Sequence, residues 1–161
     1  MIKYIVVLLA SLLFSPAQAA ILEGRVVGVA DGDTITVLDA SNTQYKVRLS
    51  GIDAPEKKQP FGQVSKKSLS DLVYNKTVQV DWSKVDRYSR IVGKVWVNDL
   101  DANLEQVKRG LAWHYTKYSN EQPLEDRHSY LDAQEDARAS QAGLWVEPNP
   151  IPPWDWRKAT R

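Results

Sequence analysis

Gly24-Arg25-Val26-Val27-Gly28-Val29-Ala30-Asp31-Gly32-Asp33-Thr34-Ile35-Thr36-Val37-Leu38 sets two short stretches on either side of an Asp-Gly turn. Residues 24–29 and 34–38 read as strands, the second with Ile35 and Val37 opposed to Thr34 and Thr36. After a polar turn at residues 39–42, residues 43–49 form a third, in which Tyr45, Val47 and Leu49 face a core. Lys46 and Arg48 then share the opposite face. Residues 77–81 and 91–97 read as two more strands, with Asp86-Arg87-Tyr88-Ser89 as the polar turn between them.

Working outward, the stretch after Gly51 contains Pro55 and Pro60, which remove amide donors and make it a loop. A helix is predicted over 64–74, with Leu69, Leu72 and Val73 as its apolar stripe. A second is predicted from 101 or 102 to 109, with Gly110 as its C-terminal cap, and a third over 124–140, ended by Gly143. Ala133 and Ala137 give that third helix a close-packing face. Five short strands with a helix inserted after the third predict an α+β, mainly β chain: a five-stranded OB-fold barrel with about three helices.

The full chain has 161 residues, 43% hydrophobic and 25% charged, which fits one globular domain and excludes a disordered chain. Lys and Arg number 21 against 20 Asp and Glu, a net charge of +1. Nucleic acid would have to be bound by local placement of charge. The absence of cysteine removes disulfides, thiolate zinc sites and cysteine nucleophiles.

Lys3 precedes the apolar run from Tyr4 to Phe14, and Ala17-Gln18-Ala19 follows as a small-x-small cleavage signal. The run would be about 16 Å long as a helix, roughly half a hydrocarbon core, so it reads as a secretory leader rather than an anchor. Residues 1–19 are therefore expected to be a signal peptide, and the protein to be exported to the periplasm or the medium. Removing Lys3 with the leader would leave a net charge of zero. Residues 20–146 form the expected domain and 147–161 a Pro/Trp-rich tail, read as extended, with Trp154 and Trp156 as packing anchors or a docking element.

Asp31 and Asp33 sit on a turn, and Asp53-Ala54-Pro55-Glu56 places two more carboxylates on a rigid loop after a strand. Gathered without a cation, each close pair would repel by about 3 to 4 kcal/mol at an effective dielectric near 20. A hard divalent ion such as Ca²⁺ relieves this, because every available donor is an oxygen. Turn-forming roles alone also account for these aspartates. Arg48 and Arg90 are candidates to grip a phosphate through paired N–H donors, or simply surface ion-pair partners. Lys57, Lys58, Lys66 and Lys67 form a basic stretch that either contacts backbone phosphates or is a solvated face. His114 and His128 lack a third ligand at zinc spacing.

Three stretches together resemble the active-site segments of the staphylococcal (micrococcal) thermonuclease family, in order and separation. They are Asp31-Gly32-Asp33-Thr34, then Val47-Arg48-Leu49 with Asp53-Ala54-Pro55-Glu56, then Asp86-Arg87-Tyr88-Ser89-Arg90. The resemblance runs from about Gly24 to Trp145, and the tail is similar to those of bacterial exported members. It implies a Ca²⁺-dependent phosphodiesterase that cuts DNA and RNA, preferentially single-stranded or frayed, by metal-assisted in-line attack of water. By position, Asp33 and Asp53 would bind the metal through carboxylates and Ala54 through its carbonyl, with Asp31 just outside. Glu56 would be the general base or the group orienting the water, and Arg48 and Arg90 would hold the scissile phosphate. The family commonly has Thr where this chain has Ala54, so a hydroxyl contact is lost. Tyr88 and Tyr115 are similar in placement to family tyrosines that touch the nucleotide. A monomer with no membrane contact after leader removal is expected. The alternatives are a non-catalytic OB-fold module that binds nucleic acid, or an exported ligand-binding protein.

Overall fold

The structure is a computed structural model that describes residues 20–160. The expected signal peptide lies outside the described residues. Strands β1 (Ala20–Asp31), β2 (Thr34–Leu38) and β3 (Gln44–Leu49) form an antiparallel meander, followed by a two-residue strand β4 (Ile52–Asp53). Helix α1 (Gly62–Val73) leads to β5 (Thr77–Val85), β6 (Ile91–Val97), the short β7 (Leu100–Asp101) and α2 (Ala102–Lys108). Then come β8 (Trp113–His114), a 3₁₀ turn over Thr116–Glu121, α3 (Leu124–Ala139), a second 3₁₀ turn over Gly143–Val146, and α4 (Pro153–Ala159).

The sheet order is β3-β2-β1-β5-β6, and β3 also pairs with β6, which closes the five strands into the expected barrel. The closing pairing is parallel: Val47, Arg48 and Leu49 face Ile91, Val92 and Gly93. This short seam is reinforced from α2, where buried Asn103 accepts from the Val95 N–H at 3.0 Å. Its amide also donates to the carbonyls of Ser50 at 2.9 Å and Gly93 at 3.2 Å. Every strand's inward positions fill the core: Val26, Ile35, Val37, Val47, Leu49, Val78, Val80 and Val95 are all essentially inaccessible. Burying each such side chain stabilises the fold by about 1.5 to 3 kcal/mol relative to exposure.

Helix α1 begins two residues before its predicted start and buries Leu69, Leu72 and Val73. The tail departs from the expected extended form. Past residue 152 it turns into α4, with Pro153 at the first helical turn, Asp155 early and Arg157 and Lys158 late. That placement suits both the missing proline N–H and the helix dipole. No helix among the described residues is long and apolar enough to cross a membrane.

Candidate active site

The Asp31-Gly32-Asp33 turn is held from three sides. Buried Gln106 on α2 donates its side-chain amide to the Gly32 carbonyl at 2.9 Å, and the Leu49 N–H donates to the Asp33 carbonyl at 2.8 Å. The glycine is required by close approach: a Cβ at Gly32 would lie 1.8 Å from Ser65 Oγ and 2.8 Å from the Ala54 Cβ. The turn is thereby pressed onto α1 and onto the loop carrying Ala54. A similar approach fixes that loop at its other end, where a Cβ at Gly62 would meet the Glu56 carbonyl at 2.0 Å.

These supports converge two carboxylates on one guanidinium. Arg48 Nη1 lies 3.1 Å from Asp33 Oδ2, and Arg48 Nη2 lies 2.9 Å from Asp53 Oδ1. Asp33 and Asp53 are 5% and 1% exposed. Asp33 Oδ2 also accepts the Ala54 N–H at 2.7 Å, and Asp33 Oδ1 accepts from the Thr34 hydroxyl at 3.0 Å. Asp31 lies beside them, its Oδ1 accepting the Asp33 N–H at 3.1 Å. Burial first, and then the Asp33 charge, push the Asp31 carboxyl up to about 7. Burial also pushes Asp53 up, against the pull of two guanidinium groups.

The second of those guanidinium groups belongs to a residue that the sequence reading missed. Arg157, on α4, places Nη2 2.7 Å from Asp53 Oδ2 and Nη1 2.7 Å from Glu56 Oε1. Glu56 thus joins the cluster through Arg157. Prolines after residue 146 hid the helix, although Pro153 followed by Asp155 and Arg157 carries a helix-start pattern. Asn103, Gln106 and Gln59 were missed as well, since a buried amide has no periodic signature.

Arg90 sits apart from this cluster on the same outer face. Arg48 pairs with Val92, and Arg90 stands two positions earlier along the same chain, which puts the two Cα atoms about 8 Å apart at ordinary strand spacing. It is held by its own turn: Arg90 Nε donates to Asp86 Oδ2 at 2.9 Å, and Asp86 Oδ1 accepts the N–H groups of Tyr88 and Arg90. Burial opposes ionisation of Asp86, but these donors outweigh it and lower its pKa. Tyr88 is 62% exposed, with Arg87 and Arg90 over its ring. Tyr115 is covered on one face by Trp154, stacked at 5.3 Å and 8°. Burial and then the Asp53 charge raise the Tyr115 pKa, which ties that tyrosine to the cluster.

The donor set suits a hard cation: buried carboxylate oxygens, with no cysteine in the chain. Even so, among the described residues no three His, Asp or Glu side chains are gathered as a ready ligand set. Guanidinium groups hold Asp53 and Glu56 instead. His114 is buried and faces Gln122 at 3.0 Å, serving the core. Lys57, Lys58 and Lys67 are exposed to solvent.

A closed OB-type barrel that presents paired acids and arginines on one face defines a class of proteins built to handle phosphodiesters. Residues 46–147 match the family described as staphylococcal nuclease homologue. A Haemophilus influenzae relative described as an uncharacterized endonuclease is 51% identical over 134 residues, which span 83% of this chain and 72% of its own. An Escherichia coli relative with the same description is 43% identical over 157 residues, 96% and 97% of the two chains. A Shigella flexneri protein named micrococcal nuclease is 38% identical over 159 residues, 93% and 88% of the two. The chain belongs to the staphylococcal nuclease family, and it is a nuclease, a hydrolase whose substrates are nucleic acids.

Proposed function

We propose that the protein is an exported, Ca²⁺-dependent nuclease that hydrolyses phosphodiester bonds of DNA and RNA by in-line attack of water. The observation that carries this reading is the single Arg48 guanidinium shared by buried Asp33 and Asp53. When bound, the ion supplies positive charge against the phosphoryl oxygens. Asp33 and Asp53 would hold it through their carboxylates and Ala54 through its carbonyl, with Asp31 just outside.

Glu56, 38% exposed and at the edge of the cluster, orients the attacking water and takes its proton. Among the described residues Arg48 Nε–H and Arg90 Nη1 meet no acceptor, which would leave them for a phosphate oxygen. Donors aimed at charge that grows during attack each contribute about 3 to 4 kcal/mol to the transition state. Tyr88 offers an open ring to a base, and single-stranded or frayed substrate can reach it without unpairing.

The test is incubation of the purified protein with plasmid, single-stranded DNA and RNA in Ca²⁺, then in chelator. Degradation of all three that chelator abolishes is the expected result, with single strands cut fastest. Cutting that persists undiminished in chelator, or no cutting at all, overturns the reading. Export is supported by the leader-like pattern of residues 1–19. Fractionation of the producing cells should find the protein beginning near Ala20 outside the cytoplasm.

A further inference from the structure

The C-terminal helix does more than pack. Gln59 donates its side-chain amide to the Ile151 carbonyl at 2.6 Å, and Pro153 is buried. Trp154 stacks on Tyr115 and meets Trp113 edge-on at 5.6 Å. These anchors deliver Arg157 to Asp53 and Glu56. Its Nη1 and Nη2 reach Asp53 Oδ1 at 3.2 Å and Oδ2 at 2.7 Å, and Nη1 also reaches Glu56 Oε1 at 2.7 Å. With Arg48 on Oδ1 as well, three of the roughly four acceptor positions of Asp53 are taken by guanidinium N–H groups.

We propose that Arg157 is an intramolecular counter-cation occupying the place of the divalent ion, so that loading the ion requires α4 to release Asp53 and Glu56. The inference rests on the metal-dependent reading above. A Ca²⁺ ion needs carboxylate oxygens at about 2.3–2.6 Å. The one position left on Asp53 would set it against a guanidinium group of like charge. Asp31, Asp33, Asp53 and Glu56, if all ionised, carry −4 against +2 from Arg48 and Arg157. Exchanging Arg157 for a divalent ion brings the sum from −2 to −1, so the exchange moves the cluster toward neutrality.

The same exchange would release Glu56 Oε1 from Arg157, leaving that oxygen free to accept from a water. Trp154 leaving Tyr115 would in turn uncover that ring for a nucleotide base. Asp53, Glu56 and Tyr115 are all contacted by one seven-residue helix.

The test uses the full chain without substrate. Calorimetry with Ca²⁺ alone compares the unaltered protein with Arg157→Gln and Arg157→Lys, and hydrogen exchange follows the amides of residues 154–160 with and without saturating Ca²⁺. Expected are about tenfold tighter Ca²⁺ binding in Arg157→Gln, affinity near the starting value in Arg157→Lys, and at least tenfold faster exchange in the tail of the unaltered protein when Ca²⁺ binds. Ca²⁺ binding that leaves tail exchange unchanged, or that is equal or weaker in Arg157→Gln, overturns the counter-cation role and leaves the nuclease reading standing. Failure of all three proteins to bind Ca²⁺ overturns the metal-dependent reading, and this inference with it.

Discussion

The loop over residues 50–56 and the turn over residues 86–90 each serve an arginine, and they do it in opposite ways. Arg48 is 13% exposed and is held by Asp33 and Asp53, which arrive from separate segments. Arg90 is 27% exposed and is held by Asp86, four residues away in its own turn. Removing one partner of a buried ion pair leaves an uncompensated charge, whereas a half-buried pair nearer solvent is better screened and costs less to break. Folding and chemistry are therefore coupled at Arg48 and separable at Arg90.

The largest expected effect sharpens that separation on the chemical side. Glu56→Gln should lower turnover on single-stranded DNA by about 10²–10⁴-fold, and Arg90→Ala by about 10²–10³-fold. Both should unfold near the same denaturant concentration as the unaltered protein. Near-normal turnover in either would break the assignment. Next comes stability at the buried arginine: Arg48→Ala should cost about 3 to 5 kcal/mol in denaturant unfolding, against about 0 to 1 kcal/mol for Arg90→Ala. Equal losses would erase the contrast.

A smaller effect probes the packing behind Asp33. Gly32→Ala should destabilise the protein by about 1 to 3 kcal/mol, because the new methyl meets Ser65 and Ala54 with little room to yield. Unfolding of Gly32→Ala at the unaltered midpoint would show that the turn is free to shift.

The smallest effect is in pH. Burial lowers the His114 pKa, so the unfolded chain binds the proton more readily than the folded one. The His114 contribution to stability should then decline as pH falls from 6.5 toward that lowered value. Asp86, whose pKa is lowered from 3.8, supports the fold above 3.8 and loses that support only in more acidic solution. Asp31, raised to about 7, gains stability over the same window as His114 and opposes it. The His114 contribution should therefore be read as a difference: in melts between pH 7 and 5 the unaltered protein should lose stability relative to a His114→Gln variant as pH falls.

The same contrast explains what was readable in the amino-acid order. Arg90 and its turn are local, and the placement of Arg48 opposite Val47 and Leu49 follows from alternation alone. The five barrel strands were legible for that reason too, apart from extensions such as β1 starting at Ala20 and β5 reaching Val85. Sharing of Arg48 between Asp33 and Asp53 needed the closed barrel, and the family resemblance stood in for it. Arg157 was not legible at all. Its partners Asp53 and Glu56 lie about a hundred residues earlier, and no spacing rule connects segments that far apart.

The parallel joint of β3 with β6 is three residue pairs long, and it sets the distance between the strands that bear Arg48 and Arg90. During synthesis, a nascent chain that has not yet emerged beyond Gly93 cannot lay those pairs together. Until then the two guanidinium groups have no fixed spacing, so the arginine pair is assembled only once β6 has joined the barrel.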